Sequence, residues 1–148
     1  MIALTAPTDQ LVVQVTSVLS YAAAALPFYC TWNNTGGPVP FARNVGIIPG
    51  APASPLIVIA TIPPGVTEIE IREITISNTV AVPAPPPVGA IANLLTANVI
   101  IYFHVPSTGI YHQLFQCVLQ PGDSLSYNAT PGINGTWSIF DARGQKAS

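Results

Sequence analysis

Residues Thr67 to Asn78 read TEIEIREITISN, and this stretch decides the fold. Ile69 and Ile71 alternate with Glu68 and Glu70, the period-two pattern of a strand with one buried and one wet face. The phase then slips. Arg72 and Glu73 are adjacent and polar, and the apolar set resumes at Ile74 and Ile76 on the opposite parity. A β-bulge at Arg72–Glu73 would return both isoleucine pairs to one face; the alternative is a strand that changes sheets there. The same stretch holds four of the chain's ten charged residues.

Working outward, the segments on both sides also read as strands. Upstream, Asp9–Leu19 (DQLVVQVTSVL) places Leu11, Val13 and Val15 on one face. Tyr21–Trp32 begins with alanines, but Leu26, Phe28, Cys30 and Trp32 then alternate, so its second half is a strand. Pro27 suggests an edge position, because proline cannot donate to a ladder. Asn33–Pro40 (NNTGGPVP) is a loop, Phe41–Ile48 a short strand, and Pro49–Pro55 a loop again. Leu56–Ile62 is an apolar strand closed by Pro63, Pro64 and Gly65. Downstream, Ala97–Val105 and Ile110–Leu119 form a hairpin around Pro-Ser-Thr-Gly, the turn chemistry that two β-rich runs need. Pairing Val105 with Ile110 sets His104 opposite Tyr111 and His112 opposite Phe103. Ser124–Asn128 and Thr136–Asp141 supply the last strands.

Eight or nine short strands with turns between them predict an all-β fold, an antiparallel β-sandwich of jelly-roll type. Ile69, Ile71, Ile74, Ile76, Val99, Ile101, Phe103 and Trp137 are its expected core. Helix is expected to amount to a turn or two near Ala90–Leu95. The domain spans residues 9–141, after an N-terminal arm (1–8) and before a polar tail (142–148), with a proline-rich loop inserted at 80–97. Prolines 83, 85, 86 and 87 force polyproline-like extension there. Met1–Thr8 and Val82–Gly89 carry no charge, and neither is expected to fold against its own chain. Both are read as arms that reach a neighbour. Ile2, Val82, Pro83, Pro85, Pro86, Pro87 and Val88 are the candidate contacts; Ile2, Val82 and Val88 would be exposed in a lone protomer.

Charge narrows the function. Charged residues make up 7% of the 148, against about 25% in an ordinary soluble domain. Such a surface must be covered by uncharged polar groups, proline and exposed apolar area, which points to a subunit living in an assembly. With a net charge of −2 there is no basic footprint for nucleic acid. The longest nearly unbroken apolar run, Tyr21–Cys30, has ten residues and contains Pro27, whereas a membrane-spanning helix needs about 20. The opening MIALTAPTDQ lacks the basic and apolar regions of a signal peptide, so the fold is expected to be soluble and Cys30 and Cys117 to be buried thiols.

No constellation reads as a catalytic centre. The two histidines are expected on opposite faces of the hairpin, and no nearby Cys or carboxylate completes a metal site. Glu68, Glu70 and Glu73 could imitate paired glycosidase carboxylates, but Glu68 and Glu70 share one strand face. Neither a G-x-S-x-G elbow nor a glycine-rich phosphate loop occurs. The expectation is a protein without catalytic residues, metal or cofactor. Tyr102, Tyr111 and Tyr127 are the residues that could serve as aromatic platforms for a glycan.

Three stretches resemble a known family. The opening TAPTDQLVVQVTSVLSYAAAALPFYCTWNNT, the middle IREITISNT (Ile71–Thr79) and the ending VLQPGDSLSY (Val118–Tyr127) with WSIFDARG (Trp137–Gly144) are similar, in this order, to small tailed-bacteriophage virion proteins. The chain departs from them in its proline-rich insertion and its fewer charges. The resemblance implies a structural protein of the virion, assembled in the host cytoplasm. The expected role is a capsid decoration (cement) protein that binds the major capsid protein and copies of itself, as a dimer or trimer. The alternative is a receptor- or glycan-binding module of a tail or fibre.

Overall fold

The computed structural model describes residues 1–16, 25–49, 56–80, 96–130 and 133–147. Ten strands run through them: β1 (Ala3–Leu4), β2 (Gln10–Val15), β3 (Ala25–Thr35), β4 (Phe41–Pro49), β5 (Leu56–Thr61), β6 (Glu68–Ser77), β7 (Ala97–Val105), β8 (Ile110–Leu119), β9 (Ser124–Asn128) and β10 (Thr136–Phe140). No helix occurs among the described residues. The strands form two antiparallel sheets. One has the order β10-β9-β6-β3-β4, with β1 pairing β6 beside β9; the other has the order β5-β2-β7-β8.

The slip in the β6 pattern is a bulge. Thr31 of β3 pairs with Glu73 and Trp32 with Ile71, which leaves Arg72 as the extra residue. Ile69, Ile71, Ile74 and Ile76 therefore share one face and are all fully buried. Burial of each contributes roughly 1.5–3 kcal/mol, so this strand alone anchors much of the core. Leu26, Phe28, Cys30 and Trp32 of β3, Leu11, Val13 and Val15 of β2, and Val99 and Ile101 of β7 complete a single cluster drawn from both sheets. Phe103 and Trp137, expected in the core, are half-buried and packed against it.

Two ties join the sheets at opposite ends. At one, the Asn44 side chain of β4 donates to the Ile59 carbonyl of β5 at 3.1 Å. At the other, Phe115 of β8 stacks on Trp137 of β10, with ring centroids 4.5 Å apart. Asn78, buried just past β6, donates to the Leu119 carbonyl at 2.9 Å and accepts from the Val80 N–H, so its burial costs little.

Two expectations need correction. Pro27 does not mark an edge, because β3 lies between β6 and β4. Pairing with β6 starts at Phe28, opposite Ile76, so Pro27 stands just beyond it and withholds no ladder bond. Residues 1–8 are not a free arm. Ala3 and Leu4 pair with Glu70 and Ile69, Leu4 is fully buried, and Ile2 packs against the core of its own chain. The Asp9 carboxylate holds the turn that follows by accepting from the Ala6 N–H at 2.9 Å. A short apolar segment docked along a partly free strand saves both its backbone hydrogen bonds and its leucine from water. Val82, Pro83, Pro85, Pro86, Pro87, Val88 and the stretch 90–95 lie outside the described residues.

Candidate interaction surfaces

The residues that could carry chemistry do not converge. Glu68, Glu70 and Glu73 lie along the outer side of β6, and Arg72 donates to Glu70 at 3.2 Å on that face. The hairpin register is the expected one: Val105 faces Ile110, His104 faces Tyr111 and His112 faces Phe103, so the imidazoles point to opposite sides of the sheet. Among the described residues no three His, Cys, Asp or Glu side chains gather as metal ligands would. Cys30 and Cys117 are free, buried and in different sheets. Burial, with the Glu73 charge adding to it, pushes the Cys30 thiol up to about 12; burial and then the Asp123 charge do the same for Cys117. Neither is an activated nucleophile. No helix among the described residues is long and apolar enough to cross a membrane.

The unusual surface is β4. Its sequence, FARNVGIIP, sets Ala42, Asn44 and Gly46 on the core side and Phe41, Arg43, Val45 and Ile47 on the outside. Phe41, Val45 and Ile47 are 68%, 62% and 65% exposed. The cause lies on the inner face. A Cβ on Gly46 would come within 2.7 Å of the Phe28 ring, so Phe28 already occupies the space that a larger β4 side chain would need. The strand is amphipathic in the inverted sense, small inside and large apolar outside. Val39, Leu56 and Val58, also exposed, extend the apolar strip around this end of the molecule.

Beside the strip, on the outer face of the larger sheet, lies a shallow depression of about 570 Å³. Tyr29, Thr31 and Asn33 of β3, Phe41 and Arg43 of β4, and Arg72 of β6 line it. Two aromatic rings, two guanidiniums and an amide converge there.

The other sheet presents a different face. Its four strands contain no Asp, Glu, Lys or Arg; the charges sit on β4, on β6, and in turns and the C-terminal segment. In their place is a polar and aromatic web. His104 stacks on Tyr111 with centroids 3.9 Å apart, and its Nδ1 lies 2.9 Å from Gln10 Oε1. Tyr111 meets Tyr102 edge-on, Gln116 donates to Asn98, and Asn98 donates to Thr16. Of the three tyrosines singled out from sequence, Tyr102 and Tyr111 belong to this face, whereas Tyr127 is buried. Its inward position follows from the register of β9, where Leu125 and Tyr127 lie opposite Ile76 and Ile74.

Sequence reading missed Tyr29 and Phe41 as surface aromatics. Their signal was present, since Tyr29 holds the parity opposite to Phe28 and Cys30, and Phe41 the parity opposite to Asn44 and Gly46. Compared with protein-family models, curated proteins and solved structures, the chain matches none of them.

Proposed function

We propose that this chain is a non-enzymatic structural component of a tailed-bacteriophage particle, a decoration (cement) protein that binds the capsid shell and copies of itself. The observation that carries the reading is the inverted strand β4, whose large apolar side chains face out although its chain has so few charges to keep them in solution. A charge-free second sheet and the sequence resemblance to virion proteins support it. The localisation that follows is the virion, and the partners are the major capsid protein and further copies of the chain.

The same proposal extends to the fold, which we read as a sandwich of jelly-roll type. Its support is the order of neighbours. Laid so that β4 meets β5, as the Asn44–Ile59 bond requires, the sheets bring β3 over β2, β6 over β7 and β9 over β8. Every facing pair is then consecutive in the chain, the winding that two interlocked Greek keys produce.

Adding purified protein to capsid shells assembled without it tests the function. Saturable co-sedimentation and a higher temperature of shell disruption are expected. A protein that stays in the supernatant at every ratio contradicts the proposal. A second reading, a glycan-binding tail or fibre module, is favoured by the depression lined by Tyr29, Phe41, Asn33 and Arg43, since aromatic platforms with convergent polar groups suit sugars.

A further inference from the structure

We infer that two copies of this chain join edge to edge through β4, in an antiparallel two-fold pair that runs the larger sheet continuously across the dimer. The inference rests on the assembly reading above and specifies the surface through which copies meet.

The edge itself dictates the chemistry of its occupant. The Asn34 N–H donates to the Pro40 carbonyl at 2.8 Å, which fixes the alternation of the β3–β4 ladder. Even-numbered residues of β4 turn their backbone groups toward β3, and Phe41, Arg43, Val45 and Ile47 turn theirs outward. Four free N–H and four free C=O groups in a row call for another extended strand.

The other edges are blunted among the described residues. Phe140 of β10 bridges to Lys146, and the Ala147 N–H donates to the Ile139 carbonyl. β5 is bulged where it pairs with β2, and Asn44 takes up its Ile59 carbonyl. β8 is bulged opposite Ile101 and Tyr102. β4 runs all nine residues, from Phe41 to Pro49, against its neighbour without a register shift, whereas β10, also regular, has only five. It is long, regular and apolar.

Charge and proline select a second copy and its register. With Asn44 opposite the partner's Asn44, Phe41 pairs with the partner's Ile47 and Arg43 with the partner's Val45, so all four outward residues are used on each side. Sliding by one register step in one direction sets Arg43 against the partner's Arg43, and like charges directly opposite are destabilising. Sliding the other way sets Phe41 against the partner's Pro49, which has no N–H. Val39, Phe41, Val45, Ile47, Leu56 and Val58 are 39–68% exposed. Across the seam the exposed Phe41 and Ile47 side chains of the two copies would cover one another on one face of the joined sheet, as cross-strand apolar pairs do. The proline-rich stretch Val82–Gly89 of the same chain is a poor rival, since four of its eight residues cannot donate.

Sedimentation equilibrium on the full chain at tens of micromolar, with two kinds of variant, tests the pairing. The wild type is expected at twice the 15.5 kDa chain mass, and Val45→Lys/Ile47→Lys at the chain mass with an unchanged circular dichroism spectrum. Asn44→Cys is expected to form a disulfide-linked dimer under mild oxidation, because non-hydrogen-bonded partners bring their Cβ atoms closest. Val45→Cys is not. Cys30 and Cys117 are buried and remain silent. A monomeric wild type overturns the inference, as does a dimer that survives the lysines while Asn44→Cys fails to cross-link. Shell binding by a monomeric protein would overturn the β4 pairing and leave the decoration reading standing; a β4 dimer that never binds shells would do the reverse.

Discussion

The Asn44 side-chain amide bridges the two sheets, donating to the Ile59 carbonyl at 3.1 Å where β5 bulges away from β2. One hydrogen bond thereby satisfies an acceptor that the bulge would leave exposed and holds β4 over β5. Asn44→Ala is expected to cost about 1 kcal/mol and to speed amide exchange in β5 selectively. Uniform exchange across both sheets would show that the bond does not tie them.

Gly46 is the counterpart of this tie. Its missing side chain makes room for the Phe28 ring, so Gly46→Ala should lower the unfolding free energy by about 1–3 kcal/mol through overpacking, read as an earlier denaturant midpoint. Phe28→Leu should relieve part of that cost in the double variant. Simple additivity of the two changes would refute the steric account.

The N-terminal segment is part of the core. Leu4→Ala should destabilise the fold by about 2–5 kcal/mol, the range for a fully buried leucine. Deleting Pro83–Pro87 should leave stability nearly unchanged, because stability varies slowly with loop length, while weakening attachment to the particle. A variant lacking these prolines that protects shells from heat as the parent does would show the stretch to be a passive insertion.

The buried thiols set a pH dependence at the alkaline end. Burial pushes each thiol up to about 12 in the folded chain, from 9.0 for a free cysteine. The unfolded chain therefore loses these protons first as pH rises. Their stabilisation is complete below pH 9 and is lost as pH climbs toward 12. Thiol reagent at pH 8 should label neither cysteine in the native protein and both after denaturation. Rapid labelling of the native protein would contradict the burial.

Much of this was legible in sequence because strand parity is a strong signal. Two isoleucine pairs out of phase narrowed β6 to a bulge or a change of sheet, and the pairing with β3 decides for the bulge; the hairpin register followed from the length of the Pro106–Gly109 turn. What escaped had physical reasons. β1 is too short to show a period, and its burial depends on the free flank of β6 beside β9. Pro27 misled because an interior strand can overhang its neighbour. The inversion of β4 was readable as a pattern, but its sense depends on Phe28 filling the core from the adjacent strand, which no local window contains. The charge-free sheet emerged only once β2, β5, β7 and β8 were known to be neighbours.

The number of copies per particle tests the decoration reading most directly. Quantitative mass spectrometry of purified virions, scaled to the major capsid protein, should give on the order of hundreds of copies, as a symmetric shell lattice requires. A few copies to a few dozen would contradict a role on the capsid surface and favour the tail or fibre module, and none at all would remove the protein from the particle.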